Sequence, residues 1–224
     1  MSHTASPMTA RSTEKPVAKR RLQQREEARR AILDATEGLL VAEGYEALSM
    51  RRLAEQCGYT APSIYHHFGD KRGLIDALLE ERFGLLVERI RSVAAGDDPV
   101  EILHGQLSAF VRFGLENPTH YRLLMAPRLD AESPPPRSSE AARELIEVTL
   151  TRLAQARRLQ VGDIEEAVQC IWTTLHGLIS LHISRPDHPW TPNHVEAALG
   201  ILLRGLVAPA GGPRSSEPAA EQPG

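Results

Sequence analysis

Residues 49–71 read SMRRLAEQCGYTAPSIYHHFGDK, and this stretch decides the fold. Ser49 is a good N-cap, and an apolar stripe at i, i+3, i+4 and i+7 follows it. Gly58 stands where a helix ends in left-handed backbone. Thr60 can cap a second, shorter helix, which Gly69 ends. The pattern predicts a helix-turn-helix, in which the second helix has the right size for a DNA major groove.

The outward face of this second helix suits contact with DNA. At about 100° per residue, Pro62 and His66 point away from the inward Ile64, and Ser63 and Tyr65 flank them. Hydroxyl groups bond base edges or phosphate, and a cation at a helix N-terminus reinforces an anion site. The predicted DNA-binding residues are Ser49, Arg51, Arg52, Thr60, Pro62, Ser63, Tyr65, His66, His67 and Lys71.

The predicted DNA-binding residues fall into two groups by position. Those expected to contact phosphate are Ser49, Arg51, Tyr65 and Lys71, and those that can reach base edges are Arg52, Thr60, Ser63 and His66. For Tyr65 and the two arginines, an ordinary exposed helix surface is the alternative interpretation.

The stretch from about Arg25 to Phe83 resembles the helix-turn-helix domain of TetR-family transcriptional regulators. The resemblance rests on ILDATEGLLVAEGYEALSM and RRLAEQCGYTAPSIYHHFGDKRGLIDALL. These segments keep an alanine-rich first helix, G-Y/F before the cap, L/I-A-x-x-x-G and Y-x-x-F-x-x-K. Residues 57–60 read CGYT where the family more often has AGVS, and Pro62 replaces a small or polar residue, which bears on the base that is read. The resemblance implies a regulator that binds double-stranded DNA and dimerises through its last two helices.

Composition and charge agree with a helical DNA-binding protein. Aromatic residues make up only 4% of the 224 residues, while Leu, Ala, Glu and Arg are abundant, which favours an all-α fold. Residues 1–72 hold 12 Lys+Arg against 9 Asp+Glu (+3), so residues 73–224 hold 26 − 12 = 14 against 29 − 9 = 20 (−6). A basic N-terminal part suits a DNA-binding domain, although solvated charged faces produce similar differences in net charge along a chain.

Catalytic and metal-binding patterns are missing from the sequence. His66 and His67 are adjacent, so they diverge by about 100° on a helix, and Cys170 and His176 fall on different faces. There is no G-x-S-x-G, H-E-x-x-H, P-loop or G-x-G-x-x-G motif. We therefore expect no enzyme activity, no metal and no cofactor.

Cellular location is predicted from two further absences. No apolar run reaches the ~18–20 residues of a membrane span, and the N-terminus lacks the apolar segment of a signal peptide. Cys57 and Cys170 lie on or beside apolar helical stripes and are interpreted as small buried hydrophobic residues. We expect a cytoplasmic protein without membrane contact.

The sequence predicts about nine helices in two domains. A polar, basic arm, interpreted as disordered, covers residues 1–24; it is either a solubilising tail or an arm that contacts DNA. The three-helix DNA-binding domain covers 25–86, with its helix-turn-helix at 49–68. A helical-bundle domain for ligand binding and dimerisation covers 87–207, and a disordered tail follows at 208–224.

The last two predicted helices are apolar over more than one face. A helix that is apolar on two sides needs two packing partners, so a two-fold four-helix interface between two copies is expected. The predicted interface residues are Leu175, Leu178, His182, Leu199, Leu202 and Leu206.

The segment IWTTLHGLISLHI resembles a C-terminal domain type named for its Trp, His-Gly signature, here Trp172, His176 and Gly177. NPTHYRLLM also looks like that branch. A helical Gly costs ~1 kcal/mol against Ala, so a close backbone approach is expected at Gly177. The residues predicted to line an apolar ligand pocket with one polar group are Phe110, Phe113, Leu124, Met125, Leu145, Trp172 and His176. A plain helix-bundle core, with His176 hydrogen-bonded inside it, is the alternative.

Together these patterns predict a homodimeric repressor that leaves a palindromic operator when a small apolar or amphipathic effector binds. The alternative is a DNA-binding repressor or activator whose second domain only dimerises or binds a protein partner. A small-molecule enzyme would need a catalytic constellation that the sequence lacks. The sequence names neither the effector nor the operator.

Overall fold

A computed structural model describes residues 14–93, 96–125 and 136–209, which form nine α-helices and no strand. The all-α prediction is confirmed. The helices are α1 Glu14–Glu43, α2 Met50–Cys57, α3 Ala61–Phe68, α4 Lys71–Ser92, α5 Pro99–Glu116, α6 Pro118–Leu124, α7 Arg137–Gln155, α8 Ile164–Ser184 and α9 His194–Leu206. The chain divides into two compact units, residues 1–78 and 79–224, and α4 runs across the division. None of the described helices is long and apolar enough to cross a membrane.

The first unit holds the helix-turn-helix, and local hydrogen bonds fix its helix ends. The Ser49 Oγ accepts a hydrogen bond from the Arg52 amide at 3.2 Å, and the Thr60 Oγ1 accepts one from the Ser63 amide at 3.3 Å. Gly58 has a φ of 73°, which a side chain would disfavour. The helices pack around fully buried apolar side chains, which are Ile32, Leu33, Leu53, Ile64, Leu74 and Leu78.

Helix α1 begins earlier than the sequence indicated. The sequence predicted a disordered arm over residues 1–24, but the structure places 14–24 in α1, so the prediction is wrong for that part. This segment is polar, yet it contains no glycine and only one proline, near its start, and Leu, Arg, Gln and Glu favour helix. Residues 1–13 lie outside the described residues.

The second unit is built around α5, which contacts α7, α8 and α9. Its main core consists of aliphatic side chains from these helices, including Leu103, Leu107, Leu150, Leu153, Leu175, Ile179 and Leu199. An isolated antiparallel bridge joins Leu159 to Val207. The Ala208 amide also donates a hydrogen bond to the Arg158 carbonyl at 2.7 Å. The segment that follows α9 is therefore hydrogen-bonded to the segment that follows α7.

Two predicted boundaries differ from the structure. The division between units falls after Leu78, not after 86. Ala208 is hydrogen-bonded although the tail was predicted to start there, and residues 210–224 lie outside the described part of the chain.

Candidate nucleic-acid interface and ligand cleft

The outer face of α3 presents the side chains predicted to meet DNA. Ile64 and Phe68 are buried and hold the helix against its unit, which leaves Pro62, Tyr65 and His66 exposed on the opposite side. Tyr65 is 49% exposed, although it is a large aromatic residue. An exposed Tyr beside a His and a Pro on a short capped helix is a surface that can enter a major groove.

The two adjacent histidines of α3 have different surroundings. His66 is exposed, whereas His67 is half-buried and its ring lies 5.8 Å from that of Phe68. Burial lowers the pKa of His67, and the neighbouring charges of Arg25, His66 and Arg29 lower it further. His66 is therefore better placed than His67 for a base or phosphate contact.

Cationic residues predicted to contact DNA also have partners within the chain. The Arg51 Nε lies 3.2 Å from the Glu55 Oε1, with both side chains exposed. The Arg52 Nη2 lies 2.5 Å from the Glu43 Oε1 at the end of α1. Exposed pairs of this kind contribute at most about 1 kcal/mol, so phosphate can displace the carboxylate.

Lys71 is held more firmly than the two arginines. Its Nζ donates to the Tyr45 carbonyl at 2.8 Å and lies 3.7 Å from the centre of the Tyr45 ring, which is a cation–π contact. Lys71 is half-buried, and this contact fixes the start of α4 to the loop between α1 and α2. Sequence reasoning missed it because the two residues meet only after that loop has folded.

The residues predicted to line a pocket separate into two groups. Phe113 is buried, and Phe110, Leu124 and Leu145 pack around the same small cluster, so these side chains form core. Trp172 is 59% exposed and therefore does not close an internal cavity within one chain. Here the alternative interpretation, a packed bundle core, describes most of the predicted set.

His176 is surrounded by aromatic rings. The rings of Phe110 and Trp172 meet it edge-on at 5.4 Å and 5.1 Å, and the Tyr121 ring lies 5.7 Å away. The Tyr121 hydroxyl lies 2.8 Å from the His176 Nδ1 and 3.2 Å from the Ser180 Oγ. Burial lowers the pKa of His176 to about 4, so the ring is neutral at pH 7. Its Nε2 is buried and has no hydrogen-bond partner within the described structure.

A cleft of about 310 Å³ opens beside this histidine. It is lined by Tyr121, Arg122, Met125, Ser180, Ile183 and Ser184. Of the predicted pocket residues, only Met125 is among these. Sequence reasoning overlooked Tyr121 and Ser180, although the spacing of His176 and Ser180 by one helical turn was a usable signal.

Four of the residues predicted for the dimer interface are not available to a partner. Leu175, Leu178, Leu199 and Leu206 are buried in the core of their own chain, so their assignment to an intermolecular contact is wrong. They were misplaced because both sides of these helices are apolar. The residue types alone do not show which side packs inside the chain and which side is exposed.

The remaining two predicted interface residues are half-buried. These are His182 and Leu202. The ring of His182 stacks on Trp190 at 4.3 Å, and its Nδ1 lies 2.8 Å from the Leu178 carbonyl oxygen. His182 is therefore already engaged by the loop after α8.

One exposed stripe of α8 and one of α9 instead carry small and apolar residues, and we call these two stripes the exposed face of α8 and α9. It comprises Cys170, Thr173, Gly177, Leu181, Ala197, Ile201 and Gly205, while Gln169, Trp172, Glu196 and Arg204 are also exposed on these helices. Cys170 was predicted to be buried, and this is wrong because it lies on that outer face. A Cβ at Gly177 or Gly205 would meet no atom within 4 Å, so the close backbone approach expected at Gly177 does not occur within the chain.

The first unit is a helix-turn-helix, the motif that places its second helix in a DNA major groove, and a helical bundle follows it. Residues 32–78 match the family model of bacterial regulatory proteins of the tetR family, and residues 103–206 match the tetracyclin repressor-like C-terminal domain. The chain belongs to the TetR family of regulators. The narrower Trp, His-Gly type stays a prediction.

Named relatives share different parts of the chain. The transcriptional repressor AcnR of Corynebacterium glutamicum is 35% identical over 80 residues, which are 36% of this chain and 40% of that protein. The transcriptional repressor Rv1474c of Mycobacterium tuberculosis is 28% identical over 179 residues, 78% of this chain and 90% of that protein. The match to AcnR, which has the higher identity, thus covers less than half of that relative's length.

Solved structures show the same fold. A TetR family transcription regulator from Marinobacter aquaeolei VT8 superposes with a TM-score of 0.70 at 20% identity, covering 83% of this chain and 98% of that one. At this identity the likeness concerns the fold alone.

Proposed function

We propose that the protein is a cytoplasmic homodimeric repressor that binds a palindromic operator and leaves it when a small apolar or amphipathic ligand binds its second unit. The observation that carries the DNA-binding part is the outer face of α3, where Pro62, Tyr65 and His66 are exposed on a helix whose ends are fixed by caps. The base-reading residues are Arg52, Thr60, Ser63 and His66. The phosphate contacts come from Ser49, Arg51, Tyr65 and Lys71.

Dimerisation supplies the length of DNA that one helix-turn-helix cannot read. One α3 contacts a short half-site, whereas two copies related by two-fold symmetry contact half-sites about 34–36 Å apart. The exposed small and apolar face of α8 and α9 is the surface we assign to the partner. Ile201 is 65% exposed on it, and Gly177 allows close helix approach. Isologous packing of this face in both copies gives a closed dimer.

Release of DNA requires that the ligand bind the two states of the protein unequally. A ligand shifts an equilibrium only by the difference between its affinities for the two states, and a few kcal/mol suffices. The surroundings of His176 support a sensor, because its Nδ1 lies 2.8 Å from the hydroxyl of Tyr121, a residue that lines an open cleft.

A second candidate function is a DNA-binding regulator whose second unit only dimerises or binds a protein partner. The packing of Phe110, Phe113, Leu124 and Leu145 around one core cluster favours it, because packed side chains fill the space that a ligand would need. A regulator that activates transcription is a variant of this candidate.

The test is selection of bound sequences from a pooled random duplex library, at two salt concentrations. We expect a palindrome with half-sites about one helical turn apart. Retention without sequence preference, lost steeply at the higher salt, would leave only phosphate contact and contradict the proposal. The variant His66→Ala should lose preference at one position of each half-site, whereas His188→Ala, also an exposed histidine, should select the wild-type sequence.

A further inference from the structure

The cleft beside His176 lies between α6 and the last two turns of α8. Tyr121, Arg122 and Met125 form one wall, and Ser180, Ile183 and Ser184 form the other. Its volume of about 310 Å³ lies at the lower end of the ~300–1,000 Å³ range of small-molecule pockets. The volume suits a compact organic molecule.

The walls carry a positive charge without a negative one. Arg122 is the charged residue among those that line the cleft, and the described structure contains no ion pair or hydrogen bond made by its guanidinium. Neither α6 nor residues 167–184 contain any Asp or Glu. A guanidinium stays ionised at every pH of interest, and its planar N–H groups match a carboxylate.

The remaining lining groups are divided between polar and apolar. The hydroxyls of the exposed Ser180 and Ser184 can each donate to an anion's oxygen, whereas the buried Tyr121 hydroxyl is already engaged by His176. Met125 and Ile183 offer an apolar surface. The cleft therefore presents one cation, several hydroxyls and an apolar patch within a single small volume.

We propose that this cleft binds a compact amphipathic anion, an organic carboxylate with a short apolar body, and that Arg122 holds its carboxylate. The hydroxyls of Ser180 and Ser184 add hydrogen bonds, and Met125 and Ile183 contact the apolar body. This inference rests on the proposed function, because it names the ligand class for the sensing unit. Because the Ser180 hydroxyl also contacts the Tyr121 hydroxyl, which bonds the His176 ring, an occupied cleft alters the hydrogen bonds of His176.

The ordinary role for Arg122 is to stabilise the end of α6, since it lies in the last turn, where a cation complements the helix dipole. That role involves no ligand. It predicts that replacing Arg122 changes thermal stability and leaves the affinities for differently charged ligands equal.

The experiment is calorimetric titration of the full chain, without DNA, with octanoate, 1-octanol and octylamine. These probes share an eight-carbon chain and differ in charge. We expect octanoate to bind at least ~10-fold more tightly than the other two, as a charge-assisted hydrogen bond implies. Equal binding of octanoate and octanol would overturn the proposal.

The matched variants are Arg122→Gln and Arg112→Gln, which remove the same charge. Arg112 is exposed on α5 and does not line the cleft. Octanoate affinity should fall at least ~10-fold in R122Q and stay at the wild-type value in R112Q. Equal affinities in R122Q and R112Q would contradict the role of Arg122, and R122K should recover part of the loss.

The pH dependence separates Arg122 from His176 as the cation. Octanoate affinity should be constant between pH 6 and pH 8, because Arg122 stays charged and His176 stays neutral over that interval. An affinity that falls as pH rises through 6.5 would assign the anion to a histidine instead and overturn the proposal.

The two proposals fail in different ways. If octanoate binds through Arg122 but does not displace the selected operator DNA, ligand-driven release is wrong and the assignment of the cleft stands. If the library yields a palindrome and octanoate fails to bind, the assignment of the cleft is wrong and specific DNA binding stands.

Discussion

His176 shows how burial of one side chain couples stability to pH. Its pKa in the folded chain is lowered to about 4, against 6.5 for an unperturbed histidine, because burial disfavours the charged ring. The unfolded chain therefore binds a proton at a pH where the folded chain does not. The stabilising contribution is fully present above pH 6.5 and is lost as the pH falls toward 4.

We expect the melting temperature of the wild type to fall more steeply between pH 7 and pH 4.5 than that of His176→Gln. Thermal unfolding by circular dichroism at several pH values measures the difference. His188→Gln, at an exposed histidine, is the control and should follow the wild type. Parallel curves for wild type and H176Q would show that this ring does not stay neutral in the folded chain.

Lys71 combines a structural contact with a predicted phosphate contact. Replacing it in Lys71→Gln removes the cation over the Tyr45 ring, which lowers stability, and also removes one predicted phosphate contact. The slope of log affinity against log salt should therefore decrease in magnitude by about 0.9. Operator titrations at four salt concentrations measure this slope, with R112Q as a charge-matched control. An unchanged slope in K71Q would restrict Lys71 to the structural role.

At the scale of elements, the contact between α3 and α4 depends on one glycine. A Cβ at Gly73 would lie 2.2 Å from the Phe68 carbonyl oxygen, which is backbone and cannot move aside. The end of α3 thus approaches the first turn of α4 more closely than any other residue type permits. This close approach fixes the position of α3 relative to the start of α4.

We expect Gly73→Ala to destabilise the first unit by roughly 1–3 kcal/mol and to weaken operator binding. Gly38→Ala is the matched control, because Gly38 lies in the exposed face of α1 with no atom within 4 Å of its Cβ position. G38A should stabilise the chain by up to about 1 kcal/mol, since Gly is the weaker helix former. Denaturant unfolding measures both. A G73A variant as stable as G38A would contradict the close approach.

At the scale of the whole molecule, the exposed apolar residues of α8 and α9 indicate a surface that binds another protein chain. Ile201 is 65% exposed on the face that also presents Gly205 and Leu181. Exposed apolar residues on two helices that contact each other are typical of an interaction site. We assign it to a second copy of the chain.

We expect Ile201→Glu to convert the proposed dimer to a monomer in sedimentation velocity and to reduce operator affinity as a result. Val148→Glu is the control, because Val148 is 61% exposed but belongs to α7, and it should leave the proposed dimer intact. Dissociation by V148E and not by I201E would move the interface to α7.

The sequence by itself determined the helix-turn-helix. Its caps join residues three or four apart, such as Ser49 with Arg52 and Thr60 with Ser63, so the residue types alone define where α2 and α3 begin. The exposed face of α3 follows from helical periodicity in the same way, because an eight-residue helix with two buried residues has one possible outer side.

Only the tertiary structure decided the second unit. The hydroxyl of Tyr121 and the ring of His176 are 55 residues apart in sequence, and no local pattern brings them together. Periodicity placed apolar residues on two sides of α8 and α9, but it did not distinguish the buried Leu175 and Leu199 from the exposed Ile201. That choice depends on which side packs against α5, because burial is decided by the other helices of the bundle and not by the helix that carries the residue.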